Sequence, residues 1–230
     1  MHIGLIGGIG PAATDYYYRG LIRALAARGE TLELTIAHAD APTLIGNLDC
    51  GDAAAQAAIF ATLIGRMKAA GAQAAAITSI GGSFCIDDLR KISPLPLIDI
   101  IEEVDSVLQA QNLKKVGLIG TRVVMETRFY GGLSGADIIV PDEPERGQVN
   151  QNYIDMAVSG QVSESQRALF FAVAQRLCND HGAEAVMLGG TDLFLAFDGQ
   201  DCGVPIVDCA GIHIEALARA AAGDYGGLLK

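Results

Sequence analysis

The sequence predicts an α/β protein made of two similar halves, each built around a parallel sheet. Two observations predict this class. Apolar runs of strand length alternate with helical patterns along the chain, and the second half repeats short stretches of the first in the same order. The βαβ order favours parallel strands with helices on both faces. A chain of 230 residues is long enough for two small domains that each bury a core.

The elements follow one another in the same order in both halves. In the first half we predict strands at 2–7, 32–37 and 74–78, helices at 16–27 and 53–70, and a short apolar segment at 97–100 that leads into a helix ending near 111. In the second half we predict strands at 116–120, 136–140 and 185–188, helices at 125–133 and 164–180, a short apolar segment at 204–207, and a last helix at 212–221.

Three pairs of segments carry the repeat. HIGLIGG resembles KVGLIGT, GAQAAAITS resembles GAEAVMLGG, and LPLID resembles VPIVD, at nearly constant spacing. This pattern indicates a duplication, with a first domain of residues 1–100 and a second of 101–207. Parallel sheets bind ligands at the carboxyl ends of their strands, so a ligand cleft is expected between the domains. Ser79 and Gly190 are equivalent in the repeat and are expected to face each other there.

Composition excludes several classes of function. The net charge of −11 argues against nucleic acid and anionic membranes as partners, and no apolar run is long enough to span a bilayer. The first residues lack the basic and apolar regions of a signal peptide. Five cysteines without a CxxC pair favour reduced thiols in the cytoplasm and indicate neither a disulfide framework nor a zinc site.

A glycine-rich turn is predicted after the first strand. The segment GGIGPAAT at 7–14 ends a strand and opens a helix, whose first amides could hold an anion. It matches neither the dinucleotide fingerprint nor the Walker motif. Gly10, Pro11 and Thr14 are therefore candidate substrate-binding residues. The equivalent loops TSIGGSF at 78–84 and GGTDLF at 189–194 are the candidate positions for chemistry.

Several segments together resemble the aspartate/glutamate racemase family, the cofactor-independent amino-acid racemases. They are IGLIGGIGPAAT, GLIGTRVVMETRFY, VPDEPER, VMLGGTDLFL and VPIVDCAGIHIEA, spread over nearly the whole chain. The resemblance implies an isomerase without a cofactor or metal, working as a homodimer on a small amino or carboxylic acid by proton transfer at the α-carbon. It also implies that the closing segment, residues 208–230, returns to the first domain, which then contains residues 1–100 plus 208–230.

The family's two catalytic cysteines fall on Ser79, or on Thr78 if the match shifts by one, and on Gly190. The family's histidine falls on Ser83 and its acidic residue on Asp192. Neither thiol is present, and a serine hydroxyl is a far weaker base than a thiolate. Cys209 is a candidate replacement at a strand end, with packing as a small apolar residue as the alternative. The missing side chain at Gly190 is expected to leave room for a bulkier substrate.

Substrate recognition departs from the family too, because residues 38–47 contain no lysine or arginine. Asp40 is expected either to bind substrate or to serve a turn. Hydroxyls and turn amides are expected to hold one carboxylate, and the candidates are Thr14, Gly81, Ser83, Thr121, Thr127 and Thr191. Three functions stay open: a racemase-family isomerase with altered groups, a decarboxylase or lyase that needs one proton donor, and a non-catalytic binder.

Overall fold

The computed structural model describes residues 1–224, which form two compact units. Unit 1 contains residues 1–100 and the segment from His213 onward, and unit 2 contains Ile101–Ile212. Each unit has its own all-parallel sheet flanked by helices, which confirms the predicted α/β class. The sequence analysis expected the last segment of the first domain to begin at residue 208, before the last helix. The division between the two units falls inside that helix, between Ile212 and His213.

The sheet of unit 1 has the strand order β2-β1-β3. Its strands are β1 Ile3–Gly7, β2 Leu34–His38 and β3 Ala74–Ile77, and its helices are α1 Pro11–Ala26, α2 Ala41–Cys50, α3 Ala53–Ala69 and α4 Ile86–Ile92. The central strand β1 is buried along its whole length, because helices cover both faces of the sheet. The predicted segment at 97–100 adds only a single bridge, between Leu97 and Ala75.

The sheet of unit 2 has the strand order β5-β4-β6-β7. Its strands are β4 Lys115–Gly120, β5 Asp137–Ile139, β6 Ala185–Gly189 and β7 Ile206–Val207. The remaining helices are α5 Ile100–Ala110, α6 Arg122–Glu126, α7 Glu145–Ser159, α8 Glu164–Asn179, α9 Phe194–Phe197 and α10 Cys209–Ala221. The central strands β4 and β6 are almost entirely buried and pair in register from Val116 with Ala185 to Gly120 with Gly189.

The helix predicted at 125–133 is wrong beyond its first residues. Helix α6 ends at Glu126, and Arg128, Phe129 and Tyr130 then adopt left-handed conformations, with φ values of 51°, 61° and 58°. Such backbone costs roughly 1–2 kcal/mol per residue for L-amino acids. Two contacts hold it: the Phe129 side chain is fully buried, and the Thr127 hydroxyl accepts a hydrogen bond from the Tyr130 amide at 3.1 Å.

Helices α2, α4, α7 and the four-residue α9 have no counterpart in the sequence-based prediction. Helix α7 exposes most of its surface and buries only Val149, Tyr153 and Met156, so its apolar periodicity is weak. Helix α2 buries only Leu44. Both helices bury few side chains, and both end at a glycine with left-handed backbone, Gly160 and Gly51, which is a common helix stop.

Candidate active site

The glycine-rich turn after β1 is closed by its own hydrogen bonds. Thr14 Oγ1 accepts from the Gly8 amide at 2.9 Å and donates to the Gly10 carbonyl at 3.0 Å. Gly8 has a φ of 95°, and a Cβ there would lie 2.2 Å from His38 Nδ1, so only glycine fits. Pro11 starts α1 directly after Gly10. Thr14 therefore shapes this turn, and its hydroxyl is the hydrogen-bond partner of the Gly8 amide, which an anion in this turn would need.

Asp40 caps helix α2. Its carboxylate accepts hydrogen bonds from the Thr43 hydroxyl at 2.6 Å and from the Thr43 amide at 2.9 Å, and these contacts lower the pKa of Asp40. This is the usual geometry of an aspartate at a helix N-terminus. Of the two roles that the sequence left open for Asp40, the structure favours the local structural one.

Ser79 and Gly190 occupy equivalent positions in the two units. Each follows the end of a buried strand, each begins a 3₁₀ turn, and their backbone angles nearly coincide, at φ −146°, ψ 126° for Ser79 and φ −152°, ψ 125° for Gly190. Thr78 is fully buried and donates its hydroxyl to the Ile6 carbonyl at 3.0 Å within the sheet. Ser79 is therefore the better counterpart of Gly190.

The turns that follow Ser79 and Gly190 contain most of the other candidates. In unit 1, a Cβ on Gly81 would lie 3.5 Å from Ser79 Oγ, so Gly81 borders the serine hydroxyl. Ser83 lies in the same turn and is 2% exposed. In unit 2, Thr191 and Asp192 come directly after Gly190 and are also buried. Each unit thus places short, buried polar side chains in a loop at the carboxyl end of its sheet.

The space beside Gly190 is filled by Tyr153 of helix α7. A Cβ built on Gly190 would lie 2.3 Å from Tyr153 Cε2, 2.6 Å from Cζ and 2.9 Å from the phenol oxygen. Real Cβ atoms do not approach other atoms so closely. The expectation that Gly190 leaves room for a bulkier substrate is therefore wrong in this conformation, because an aromatic ring of the same unit occupies that volume.

Tyr153 is joined to Asp192 by a buried hydrogen bond. The phenol donates to Asp192 Oδ2 at 3.2 Å, and the two residues are 9% and 3% exposed. Burial, and then the negative charge of Asp192, raise the pKa of Tyr153 well above its usual value, and Tyr130 adds a smaller contribution in the same direction. Sequence reasoning missed Tyr153, and the available signal was that Tyr153 is the single aromatic residue of α7.

The two buried cysteines near these loops are poorly suited to proton transfer. Cys85 is 1% exposed, and burial raises the pKa of its thiol from 9.0 to about 12. Cys209 is fully buried, and burial followed by the charge of Asp208 raises the pKa of its thiol well above the usual value. The packing role that the sequence left open for Cys209 is the one that the structure favours.

Both thiols should resist alkylation in the native protein. The three-unit rise at Cys85 lowers its thiolate fraction roughly 1,000-fold at neutral pH. We expect iodoacetamide to label the exposed Cys50 while Cys85 and Cys209 stay unmodified, as measured by peptide mass mapping. The same protein in urea should be labelled at all three positions. Rapid native labelling of Cys209 would restore it as a candidate nucleophile.

The hydroxyls after β4 take part in local structure. Thr121 caps α6 by accepting from the Val124 amide at 3.4 Å, and Thr127 donates to the Val123 carbonyl at 2.7 Å. Arg122 lies beside them, and its guanidinium is engaged by Glu126 at 3.1 Å and by Glu143 at 2.5 Å. A substrate carboxylate would have to compete with these two side chains for Arg122.

His213 in helix α10 is part of a closed hydrogen-bond chain. It is fully buried, with Nδ1 2.9 Å from the Tyr17 hydroxyl and Nε2 3.0 Å from the Ile98 carbonyl. If Nε2 donates to the carbonyl, Nδ1 accepts from the phenol, and a neutral ring satisfies both contacts. Burial lowers the pKa of His213 to about 4, so this histidine is a neutral core residue.

Within residues 1–224, no group of three or more His, Cys, Asp or Glu side chains is arranged to hold a metal ion. No helix in the same range is long and apolar enough to cross a membrane.

The order of elements and the duplicated loops match a known family. A model of the Asp/Glu/hydantoin racemase family matches residues 6–217, which is most of the chain. The chain belongs to this family. The resemblance predicted from the sequence motifs is thereby confirmed at the level of the family.

Solved structures of racemases and their homologues share the fold. A proposed Asp/Glu racemase from Yersinia pestis is 29% identical, with a TM-score of 0.84 over 96% of this chain and 100% of that one. An aspartate racemase homologue from Pyrococcus horikoshii is 26% identical, with a TM-score of 0.80 over 96% and 99% of the two chains. The Picrophilus torridus aspartate racemase, at 18% identity and a TM-score of 0.75 over 98% and 95%, shows the same fold.

Proposed function

We propose that this protein is an isomerase that moves a proton at the α-carbon of a small amino or carboxylic acid without using a thiolate. The observation that carries the proposal is the matched pair of positions 79 and 190, which begin equivalent loops in a member of the racemase family. Inverting a stereocentre requires one proton-transfer group on each face of the carbon. The two equivalent loops that begin at Ser79 and Gly190 are the candidate positions for these groups.

The groups available at these positions differ from the family's cysteines. In unit 1 the candidate is the Ser79 hydroxyl, with Gly81 and Ser83 in the same turn. In unit 2 Gly190 has no side chain, and the nearest acid/base group along the loop is the carboxyl of Asp192. Cys85 and Cys209, the two buried cysteines near these loops, are protonated at neutral pH, because burial raises their pKa values. A mechanism based on oxygen acids and bases is therefore favoured over one based on sulfur.

Hydrogen exchange in deuterated water tests the proposal. A panel of small amino, hydroxy and dicarboxylic acids is incubated with the protein, α-deuterium is followed by NMR, and the enantiomers are separated by chiral chromatography. We expect exchange together with interconversion for at least one compound, and a roughly 100-fold slower rate for Ser79→Ala. Aspartate and glutamate are expected to be poor substrates, because both thiols are missing.

The same panel distinguishes the alternatives. Release of CO₂ with deuterium at the former carboxyl-bearing carbon would indicate a decarboxylase, and binding without exchange would indicate a binder. Either result would overturn the isomerase proposal. The absence of a cofactor, the homodimer and the cytoplasmic location remain predictions that accompany it.

A further inference from the structure

Tyr153 enters the volume that a side chain on residue 190 would occupy. Its phenol oxygen lies 2.9 Å from the Cβ position of Gly190, and two of its ring carbons lie closer still, so the ring and a side chain at position 190 cannot both occupy this volume. The ring comes from α7, a different element from the loop itself. The Tyr153 ring can therefore occupy this position only because residue 190 has no side chain.

The phenol is also placed to exchange a proton with a carboxylate. Its hydroxyl donates to Asp192 Oδ2 at 3.2 Å, in a buried pair. Buried carboxylates and phenols of this kind interact strongly, because little water screens them. Tyr130, in the left-handed turn after α6, lies close enough to influence the Tyr153 phenol as well.

We propose that Tyr153 is the catalytic residue of unit 2 and that it relays protons between the substrate carbon and Asp192. The inference rests on the isomerase activity proposed above. When the substrate Cα–H bond breaks, its proton binds the Tyr153 oxygen, the electron pair stays on the carbon, and the phenol's own proton moves to Asp192. In the reverse direction the carboxylic acid of Asp192 returns a proton to the phenol, which protonates the carbanion.

This relay explains how a phenol with a raised pKa can serve as a base. A free tyrosinate is scarce at neutral pH, because burial and the charge of Asp192 both disfavour it. In the relay the phenol loses one proton as it gains another, so the Asp192 carboxylate provides the basicity. Tyr153 connects the carboxylate to the position of the missing side chain, because its oxygen lies 2.9 Å from the Cβ position of Gly190, and it is 9% exposed whereas Asp192 is 3% exposed.

The experiment compares Tyr153→Phe and Asp192→Asn with the wild type, using a substrate found in the deuterium panel. Tyr153→Phe removes only the hydroxyl, and Asp192→Asn keeps a hydrogen-bond acceptor but cannot take up a proton. We expect interconversion of the enantiomers to fall roughly 10²–10⁴-fold in both variants, in kcat with little change in KM. Tyr18→Phe, which alters an exposed tyrosine of α1, is the matched control and should behave as the wild type.

Exchange measured separately for each enantiomer shows whether Tyr153 serves one face of the carbon. In Tyr153→Phe, one enantiomer should still exchange its α-proton with retention while the other does not, whereas a purely structural defect slows both alike. The relay is overturned, while isomerase activity stands, if Tyr153→Phe slows α-proton exchange equally for both enantiomers. An unchanged kcat in either Tyr153→Phe or Asp192→Asn overturns it as well. A wild-type protein that exchanges no compound overturns the proposed function and the relay with it. Thermal melting of each variant verifies that it is folded.

Discussion

Replacing Gly190 with cysteine is expected to destabilise unit 2 rather than restore a thiol to it. The new Cβ would lie 2.3–2.9 Å from three atoms of Tyr153, and the ring is confined by its burial and by its hydrogen bond to Asp192. Overpacking of this kind costs about 3 kcal/mol when the neighbour cannot move freely. Urea unfolding of Gly190→Cys measures the loss directly.

A double-mutant cycle with Tyr153→Ala isolates the overlap. With the ring removed, cysteine at 190 should be tolerated, so the cost of the two changes together should be smaller than the sum of their separate costs by roughly 2–3 kcal/mol. Gly46→Cys in α2 is the control, because a Cβ at Gly46 has no atom within 4 Å and should change stability little. If Gly190→Cys is as stable as the wild type, Tyr153 can leave its place at low cost and the relay loses its structural basis.

His213 should make the protein markedly less stable in mild acid. Its pKa is about 4 when folded and 6.5 in an exposed histidine, so the unfolded chain binds a proton that the folded chain excludes. The stabilisation from a neutral His213 is complete above pH 6.5 and is lost as the pH falls towards about 4. The difference of about 2.5 pKa units corresponds to about 3 kcal/mol of unfolding free energy.

Comparison with His213→Gln separates this effect from the titration of carboxylates. Both proteins contain the same aspartates and glutamates, so subtracting their urea-unfolding free energies across the pH range leaves the contribution of His213. We expect the wild type to lose about 3 kcal/mol more than the variant between pH 7 and about pH 4. Parallel pH profiles would mean that His213 is protonated in the folded protein and that its contacts with Tyr17 and Ile98 are arranged differently.

The sequence predicted the most buried strands well because their signal is local. Strands β1, β3, β4 and β6 are short apolar runs bounded by glycine or polar residues, and the structure has each of them within a residue or two of its predicted ends. The left-handed turn at Arg128–Tyr130 was not predictable in the same way, since its residues favour a right-handed helix and only the burial of Phe129 and the Thr127 contact select the other conformation.

The candidate site was predicted only in part for a related reason. The equivalence of the loops that contain Ser79 and Gly190 was predictable from the repeated segments of the sequence. The overlap of Tyr153 with position 190 depends on how α7 packs within unit 2, and the two residues lie far apart along the chain. The local roles of Thr14, Asp40 and Thr127 also emerge only from three-dimensional contacts, because threonine and aspartate suit caps, turns and ligand binding equally well.

The near-identical backbone of Ser79 and Gly190 bears on how such proteins acquire new chemistry. Both residues are extended, a conformation open to every amino acid, so the main chain at these two positions places no demand on the side chain. At position 79 a single substitution can therefore exchange one reactive group for another while the loop keeps its path. At position 190 the restriction comes from one neighbouring side chain, so a larger residue at position 190 requires a smaller residue at position 153.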